Sequence, residues 1–382
     1  MLFSRFKKYT NKTISTKSGA LKTPFFMPDA TRGFVKFLSN DDLRESGAYP
    51  LVVNTYHLYL RPGMETIKKA GGIHKFMNYK YPLLSDSGGY QVFSLIHKNP
   101  NMGKITDKEV IFRSPIDGSK HKISPEKSIQ IQFDLEVDMM VCLDDPPPNN
   151  YSKEKIKKAV ERTIVWAERC LIEYEKQLQK RSVGEDERPL IFCVVQGGEF
   201  VDLRKQCVNG LKEVAKKVGR KWDGYGFGAR HIDDNGKFME NILRKTANFI
   251  PKNSIKFALG IGTPTDIVRC VKLGWDMFDC VIPTREGRHG KLFLWKNNED
   301  FFDNEIDFYK TINITNEKYK SDFEPVEKKC SCELCQKYSR SFIYHLFKSG
   351  DPNGMRLASI HNLHFYFKLM NKIRKYYRPF AK

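Results

Sequence analysis

Short apolar runs, each ending on a polar residue or a glycine, recur eight times along the chain. The first four are FFMPDA near Phe25, PLVVN ending at Asn54, PLLSDSGG carrying Asp86 and MMVCLDD carrying Asp144. LIFCVVQGG carrying Gln196, YGFGA ending near Gly228, FALGIG ending at Gly262 and MFDCVI carrying Asp279 complete the set. Between most of them the apolar spacing turns helical, as in Ser152 to Lys180 and Glu199 to Lys217. Strand and helix alternating eight times predict an α/β fold, a (β/α)8 TIM barrel. Active sites of such barrels sit at the C-terminal strand ends, which here hold Asn54, Asp86, Asp144, Gln196, Gly228, Gly262 and Asp279. Several acids crowding one mouth are hard to explain as turn caps alone.

Two stretches depart from a plain barrel. Between Gln91 and Pro125, VIFRSPIDGSKHKIS places Asp117-Gly118 between β-prone arms and reads as an inserted hairpin. Beyond the eighth run the chain becomes charged and aromatic, with two helices expected. The division predicted is a catalytic barrel over residues 1–300 and a zinc-binding helical extension over 301–382, packed on the barrel. A length of 382 residues with 40% hydrophobic content suits one large barrel with an appendage.

Charge changes the picture. Lysine and arginine number 65 against 45 acids, and the net charge of +20 is spread along the chain rather than held in a tail. A positive field of that kind favours a polyanion, with nucleic acid the first candidate. The start, MLFSRFKKYTNKT, lacks a hydrophobic signal core, and no stretch reaches the ~20 apolar residues of a membrane span. A cytoplasmic protein is expected, with no membrane partner. Nine cysteines in that setting mean thiols or metal ligands, not disulfides. Cys142, Cys170, Cys193, Cys207, Cys270 and Cys280 are scattered in apolar surroundings and read as core fillers. The other three form Cys330-Ser-Cys332-Glu-Leu-Cys335, a CxCxxC cluster that points to a structural zinc site. His345, His361 and His364 are the candidates for a fourth ligand, and spacing does not choose among them.

The strand ends also carry chemistry. In WDMFDCVIPTREGRHG, Asp279 stands on an apolar run that leads into a basic loop with Arg285, Arg288 and His289. Asp86 lies in SDSGGYQV, where Gly88-Gly89 allow close backbone approach and Tyr90 offers a ring for stacking on a planar base. Asp144 and Gln196 supply acceptors and donors suited to a guanine-type edge. One carboxylate can trap an oxocarbenium-like centre while another moves the proton, the retaining logic of sugar hydrolysis. Two inversions then conserve configuration, and a different base can enter.

SDSGGYQV, VNTYHLYLRPG, FRSPIDGSKHKISPEKSIQIQ, VVQGG, GIGTP, FDCVIPTR and CxCxxC followed by SIHNLHFY resemble tRNA-guanine transglycosylase, also called queuine tRNA-ribosyltransferase. The resemblance runs in order from about Lys22 to Tyr366. It implies a TIM barrel with a zinc subdomain, a homodimer, and one structural zinc ion per subunit held by Cys330, Cys332, Cys335 and His361. The implied reaction replaces guanine at the wobble position of GUN-anticodon tRNAs with a 7-deazaguanine base, in queuosine biosynthesis or salvage. Asp279 becomes the nucleophile at the ribose C1′ and Asp86 the general acid/base. Asp144 and Gln196 read the base edge, Tyr90 stacks, and Gly228 gives a backbone donor. Arg285 and Arg288 fall in the anticodon-contacting segment.

Two local departures bear on the incoming base, preQ1 or queuine. Bacterial members typically read Asp-Glu-Cys where this chain has Asp144-Asp145-Pro146, and Gly-Gly-Leu where it has Gly228-Ala229-Arg230. A cation at Arg230 would repel the aminomethyl ammonium of preQ1. A non-catalytic tRNA-binding partner subunit and a DNA-modifying relative are the rival readings. The joint presence of Asp86 and Asp279 argues against the first.

Overall fold

The computed structural model describes residues 11–148, 150–296 and 307–377. The eight apolar runs all form strands: β1 (Phe25–Pro28), β2 (Leu51–Asn54), β3 (Leu83–Asp86), β4 (Met139–Val141), β5 (Leu190–Val195), β6 (Gly224–Phe227), β7 (Ile255–Ala258) and β8 (Met277–Cys280). Every pairing among them is parallel, in the spatial order β1-β8-β7-β6-β5-β4-β3-β2. The ring closes just past the end of β1, through the Asp29–Val52 bridge and the bonds Ala30 N–H to Val52 O (2.7 Å) and Asn54 N–H to Thr31 O (3.2 Å). The (β/α)8 expectation is borne out.

Side chains alternate along each strand, so every second residue enters the lumen. Phe25, Met27, Val52, Leu84, Met139, Val141, Phe192, Val194, Ile255, Phe257 and Met277 pack together there. Their neighbours Phe26, Leu51, Val53, Leu83, Met140, Cys193 and Phe278 face the helices instead. On β6 the inward positions are glycines because the neighbours fill their space. A Cβ on Gly224 would meet the Phe192 ring at 2.4 Å, and one on Gly226 would meet Leu259 at 2.4 Å. A hairpin of Thr13–Thr16 and Gly19–Lys22 adds Ile14 and Leu21 to the lumen cluster, on the side from which the barrel strands start.

Helices form where the apolar period changes. The longest, Lys153–Lys180, starts at Ser152, whose hydroxyl accepts from Lys155 N–H. It buries Ile156, Ala159, Val160, Thr163, Trp166 and Ala167 at helical spacing against the barrel. The inserted hairpin is present as Val110–Arg113 paired with Lys120–Ile123. A third strand not expected from the sequence, Gly103–Ile105, extends it to an antiparallel sheet of three. A Cβ on Gly103 would lie 2.2 Å from Ile111 O, so only glycine permits that pairing.

The C-terminal part is richer than the two helices expected. It holds Glu333–Lys337, Arg340–Lys348 and a terminal helix, Pro352–Tyr376, beside a hairpin of Lys291–Trp295 and Tyr309–Asn313. The boundary placed at residue 300 lies outside the described residues. One helix joins two cores. Leu357, Ala358 and Ile360 of the terminal helix pack with the three clustered cysteines, whereas Leu363, Phe365, Tyr366, Leu369 and Met370 belong to the barrel's core. The six scattered cysteines are buried and free. Among the described residues no helix is long and apolar enough to cross a membrane.

Candidate active site

The alternation that fills the lumen continues one step higher. Above the last apolar layer the next inward positions are Asp29 just past β1, Asn54 on β2, Asp86 on β3, Gln196, Gly228 and Leu259 just past β5, β6 and β7, and Asp279 on β8. After β4 the step slips by one residue: Leu143 joins the outer core and Asp144 takes the inward place. Asp86, Tyr90, Asp144, Gln196, Gly228 and Asp279 thus line one cavity of about 400 Å³. All six base- and ribose-directed residues expected from the sequence meet there.

Asp279 Oδ1 accepts a hydrogen bond from Gly260 N–H at 2.8 Å. Burial pushes its carboxyl up to about 7, against the Gly260 bond and with the charges of Asp86 and Asp29 adding to the rise. Asp86 Oδ2 accepts from Asn54 Nδ2 at 2.9 Å. Burial and the neighbouring Asp29 charge raise it to about 6, while bonds from Ser87, Gln91 and Asn54 oppose the shift. Asp144 accepts from Gln196 Nε2 at 2.6 Å and is raised to about 7, chiefly by burial. Three acids near neutrality can hold or release a proton at small cost, the condition for acid–base work.

The Asp144–Gln196 side of the cavity is preassembled. Gln196 is fully buried; its backbone N–H donates to the Cys207 sulfur at 3.3 Å, and among the described residues its Oε1 has no partner. A buried acceptor left open is costly unless a ligand's N–H completes it. Gly228 is required for that side chain to lie where it does, since a Cβ would sit 2.3 Å from Gln196 Nε2. Behind the loop, the buried Arg204 bonds Val195 O (2.6 Å) and Gly198 O (3.0 Å), clamping both sides of Gln196-Gly197. Tyr90, at the start of the Gly89–Lys98 helix, is 60% exposed on the rim, free to cover a planar ring. Gly88, at φ +77°, would place a Cβ 2.6 Å from Tyr56 Cβ, which fixes glycine at that turn.

Asp145 turns away from the cavity and pairs with Arg162 at 2.5 Å. Pro146, Ala229 and Arg230 do line the cavity. Ala229 holds φ +78°, a conformation costing a non-glycine residue ~1 kcal/mol. Gly262, named from the sequence, serves packing rather than the cavity: a Cβ there would collide with Cys280 Sγ. Arg285 and Arg288 share the short helix Ile282–Arg288 that follows β8, Arg285 exposed and Arg288 half-buried. Sequence reasoning missed Asp29, Gly260 and Arg204. Counting in twos from Phe25 and Met27 would have found Asp29.

Cys330, Cys332, Cys335 and His361 bring four donor atoms within 4.8 Å of one another, all buried, and could hold a metal ion. His361 Nδ1 lies 3.3–3.8 Å from the three sulfurs. Those separations fit the edges of a tetrahedron with metal–ligand bonds of ~2.0–2.3 Å. His361 Nε2 donates to Phe293 O at 2.8 Å, which orients Nδ1 toward the site. His345 is exposed, and His364 touches Cys330 Sγ at 3.5 Å from outside the four. One residue on, Asn362 Nδ2 donates to Pro283 O and Lys291 O at 2.9 Å each. Tyr366 OH donates to Gly262 O at 2.7 Å, in the loop whose Gly260 holds Asp279.

The sequence of the chain fits this geometry. Residues 11–377 match the family model described as queuine tRNA-ribosyltransferase. Proteins called queuine tRNA-ribosyltransferase in Staphylococcus aureus strains JH9, N315 and USA300 are each 40% identical over 362 residues, 95% of this chain and 87% of theirs. The chain belongs to the queuine tRNA-ribosyltransferase family. The resemblance read from its motifs is borne out, and with it the expectation of a transglycosylase enzyme.

The terminal helix ties the metal donors to the mouth. His361→Ala is expected to lower bound metal, measured by elemental analysis, from about one ion per chain to near none. It should also cost ~3 kcal/mol or more in denaturant unfolding. Unchanged metal content would contradict the ligand assignment.

Proposed function

We propose that the chain exchanges guanine at the wobble position of GUN-anticodon tRNAs for a 7-deazaguanine base, preQ1 or queuine, through a covalent Asp279–ribose intermediate. The observation that carries this reading is the placement of Asp279 and Asp86 on one cavity whose floor is the Asp144–Gln196 pair with an open acceptor. Asp279 attacks C1′, the bond to the guanine N9 breaks, and the departing base takes its proton from Asp86. The incoming base gives its N9 proton to Asp86, and N9 displaces the Asp279 carboxylate. Two inversions restore the starting configuration. Asp144 accepts from the N–H groups of the base edge, and Tyr90 stacks on the ring.

Arg285 and Arg288 meet the anticodon backbone, and the net charge of +20 draws the polyanion in. Zinc is the ion assigned to the Cys3His donors; closed by four protein ligands, it supplies rigidity rather than a reaction step. The exposed Phe323 ring and the stacked Tyr338–Phe342 pair (centroids 5.1 Å apart) support the homodimer. The place of action is the cytoplasm.

Asp279→Asn should fold normally and lose guanine exchange by about a thousandfold or more, read by labelled guanine incorporation. Retained exchange would remove Asp279 from the nucleophile's role.

The acid pair needs one proton between its two carboxyls. Below about 6 both are protonated and no nucleophile exists; above about 7 both are ionised and no proton awaits the leaving base; between the two the proton rests mainly on Asp279, and the productive form is the minority with it on Asp86. The pH profile of kcat/KM is therefore expected to be bell-shaped with its maximum near that window; a flat profile from 5 to 9 would refute the shared proton.

Arg230 is exposed on the cavity wall and acts on the arm of the incoming base rather than on its ring. Arg230→Leu should raise kcat/KM for the aminomethyl base preQ1 about three- to tenfold and leave guanine exchange unchanged. Equal effects on both bases would show that the charge does not meet the arm.

A further inference from the structure

Asp29 is the inward position of β1 above the lumen, and the mechanism above gives it no task. β8 pairs with β1 so that Asp279 lies opposite Met27 and Cys280 opposite Pro28. Asp29 is the next inward residue beyond Met27, on the strand beside the nucleophile. It is also the point at which the ring closes, bridged to Val52, two residues before the Asn54 that holds Asp86. The base cavity is lined from Val52 of β2 round to Asp279 of β8, and Asp29 is not part of its lining. A nucleoside with its base in that cavity and C1′ at Asp279 must lay its ribose past Asp279, over the ends of β1 and β2. Asp29 waits there.

Its carboxylate is held and half free. Oδ1 accepts from Thr31 N–H at 2.7 Å and from the Thr31 hydroxyl, whereas Oδ2 has no hydrogen-bond partner among the described residues. A carboxylate repels phosphate and accepts from neutral hydroxyls. The cations around it, Arg32 at the surface and Arg288 on its short helix, suit the phosphates on either side. The charge of Asp29 is felt by His57 and Arg288 as well as by the catalytic pair, which places it centrally in the mouth.

We propose that Asp29 reads the ribose of the reacting nucleotide, its free Oδ2 accepting the hydrogen of the 2′-hydroxyl. The inference rests on the exchange reaction proposed above. Carboxylates pair with ribose hydroxyls in nucleotide sites, and the 2′-hydroxyl is the group that separates RNA from DNA. Hydrogen bonds to the hydroxyl beside the reacting carbon strengthen as positive charge develops there. Asp29 is in this account a specificity-determining residue that also favours the transition state. If it served only to hold the turn at Thr31, the amide of asparagine would do as well.

Asp29→Asn separates the two roles, because it keeps an oxygen for Thr31 and puts an N–H donor in place of Oδ2. Guanine exchange is measured with an anticodon stem-loop RNA and with the same RNA carrying one 2′-deoxyguanosine at the reacting position. The intrinsic effect of removing the oxygen is common to both enzymes and cancels in the ratio of ratios. Wild type is expected to prefer the ribose substrate over the deoxy one by about ten- to a hundredfold more than the variant does, the range for one hydrogen bond to a charged group. Thr31→Val, which loses only the hydroxyl's bond to Asp29, should leave that ratio at the wild-type value. A ratio within twofold between wild type and Asp29→Asn, or an equal change in Thr31→Val, overturns the proposal. Absence of exchange by wild type on the all-ribose RNA would overturn the reaction on which it rests instead.

Discussion

Eight parallel strands closed into a ring leave each strand a single inward position above the packed lumen, and that constraint governs the whole site. On β1, β3 and β8 the position is an aspartate, and past β4 a one-residue slip brings in another. Four carboxyls converging on one small mouth cannot all be ionised cheaply. Asp86, Asp144 and Asp279 are accordingly lifted toward neutrality, chiefly by burial, with the charges of Asp29, Asp86 and Asp145 adding to it. The fold thereby produces groups able to exchange protons near physiological pH, with the apolar layer of Met27, Val52, Leu84, Val141, Val194, Phe257 and Met277 packed beneath them.

The second constraint is mechanical. The Asp279 carboxylate is held by Gly260 N–H, and the loop carrying Gly260 is held at Gly262 by Tyr366 of the terminal helix. The same helix supplies the buried His361 of the Cys3His group and the Asn362 that bonds Pro283 in the first turn of the arginine-bearing helix and Lys291 just beyond its end. Gly287 lets those two helices touch backbone to backbone, since a Cβ there would lie 2.9 Å from Ser359 Cα. A metal bound at the Cys3His group would stiffen the stretch of helix whose Asn362 and Tyr366 steady the arginine-bearing helix and the loop that holds Asp279.

The barrel was legible because buried strands and amphipathic helices differ in period, and all eight runs became the eight strands. The polar residues that end those runs were legible for the same reason, with two exceptions. Asp29 was passed over because Pro28 and Ala30 flank it as they would flank an ordinary turn. Gly262 reads as a mouth residue from sequence because glycines mark both close approach to ligands and close packing, and only the position of Cys280 Sγ tells them apart. The third strand of the insertion and the hairpin beside the metal donors were not legible: Gly103–Ile105 is too short for a periodic signal, and Tyr309–Asn313 pairs with Lys291–Trp295 from beyond a stretch of other character. Three cysteines announced a metal site, but the choice of histidine depended on which one the terminal helix buries.

Every step proposed here turns on a bond between Asp279 and the ribose. Intact-mass measurement of the enzyme mixed with an anticodon stem-loop RNA, quenched in denaturant within the first turnover and without an incoming base, tests that bond directly. The account predicts a species whose mass is enzyme plus RNA minus guanine, with the modification mapped by peptide fragmentation to Asp279. An adduct on any other residue, or complete exchange with no adduct at any quench time, would contradict it.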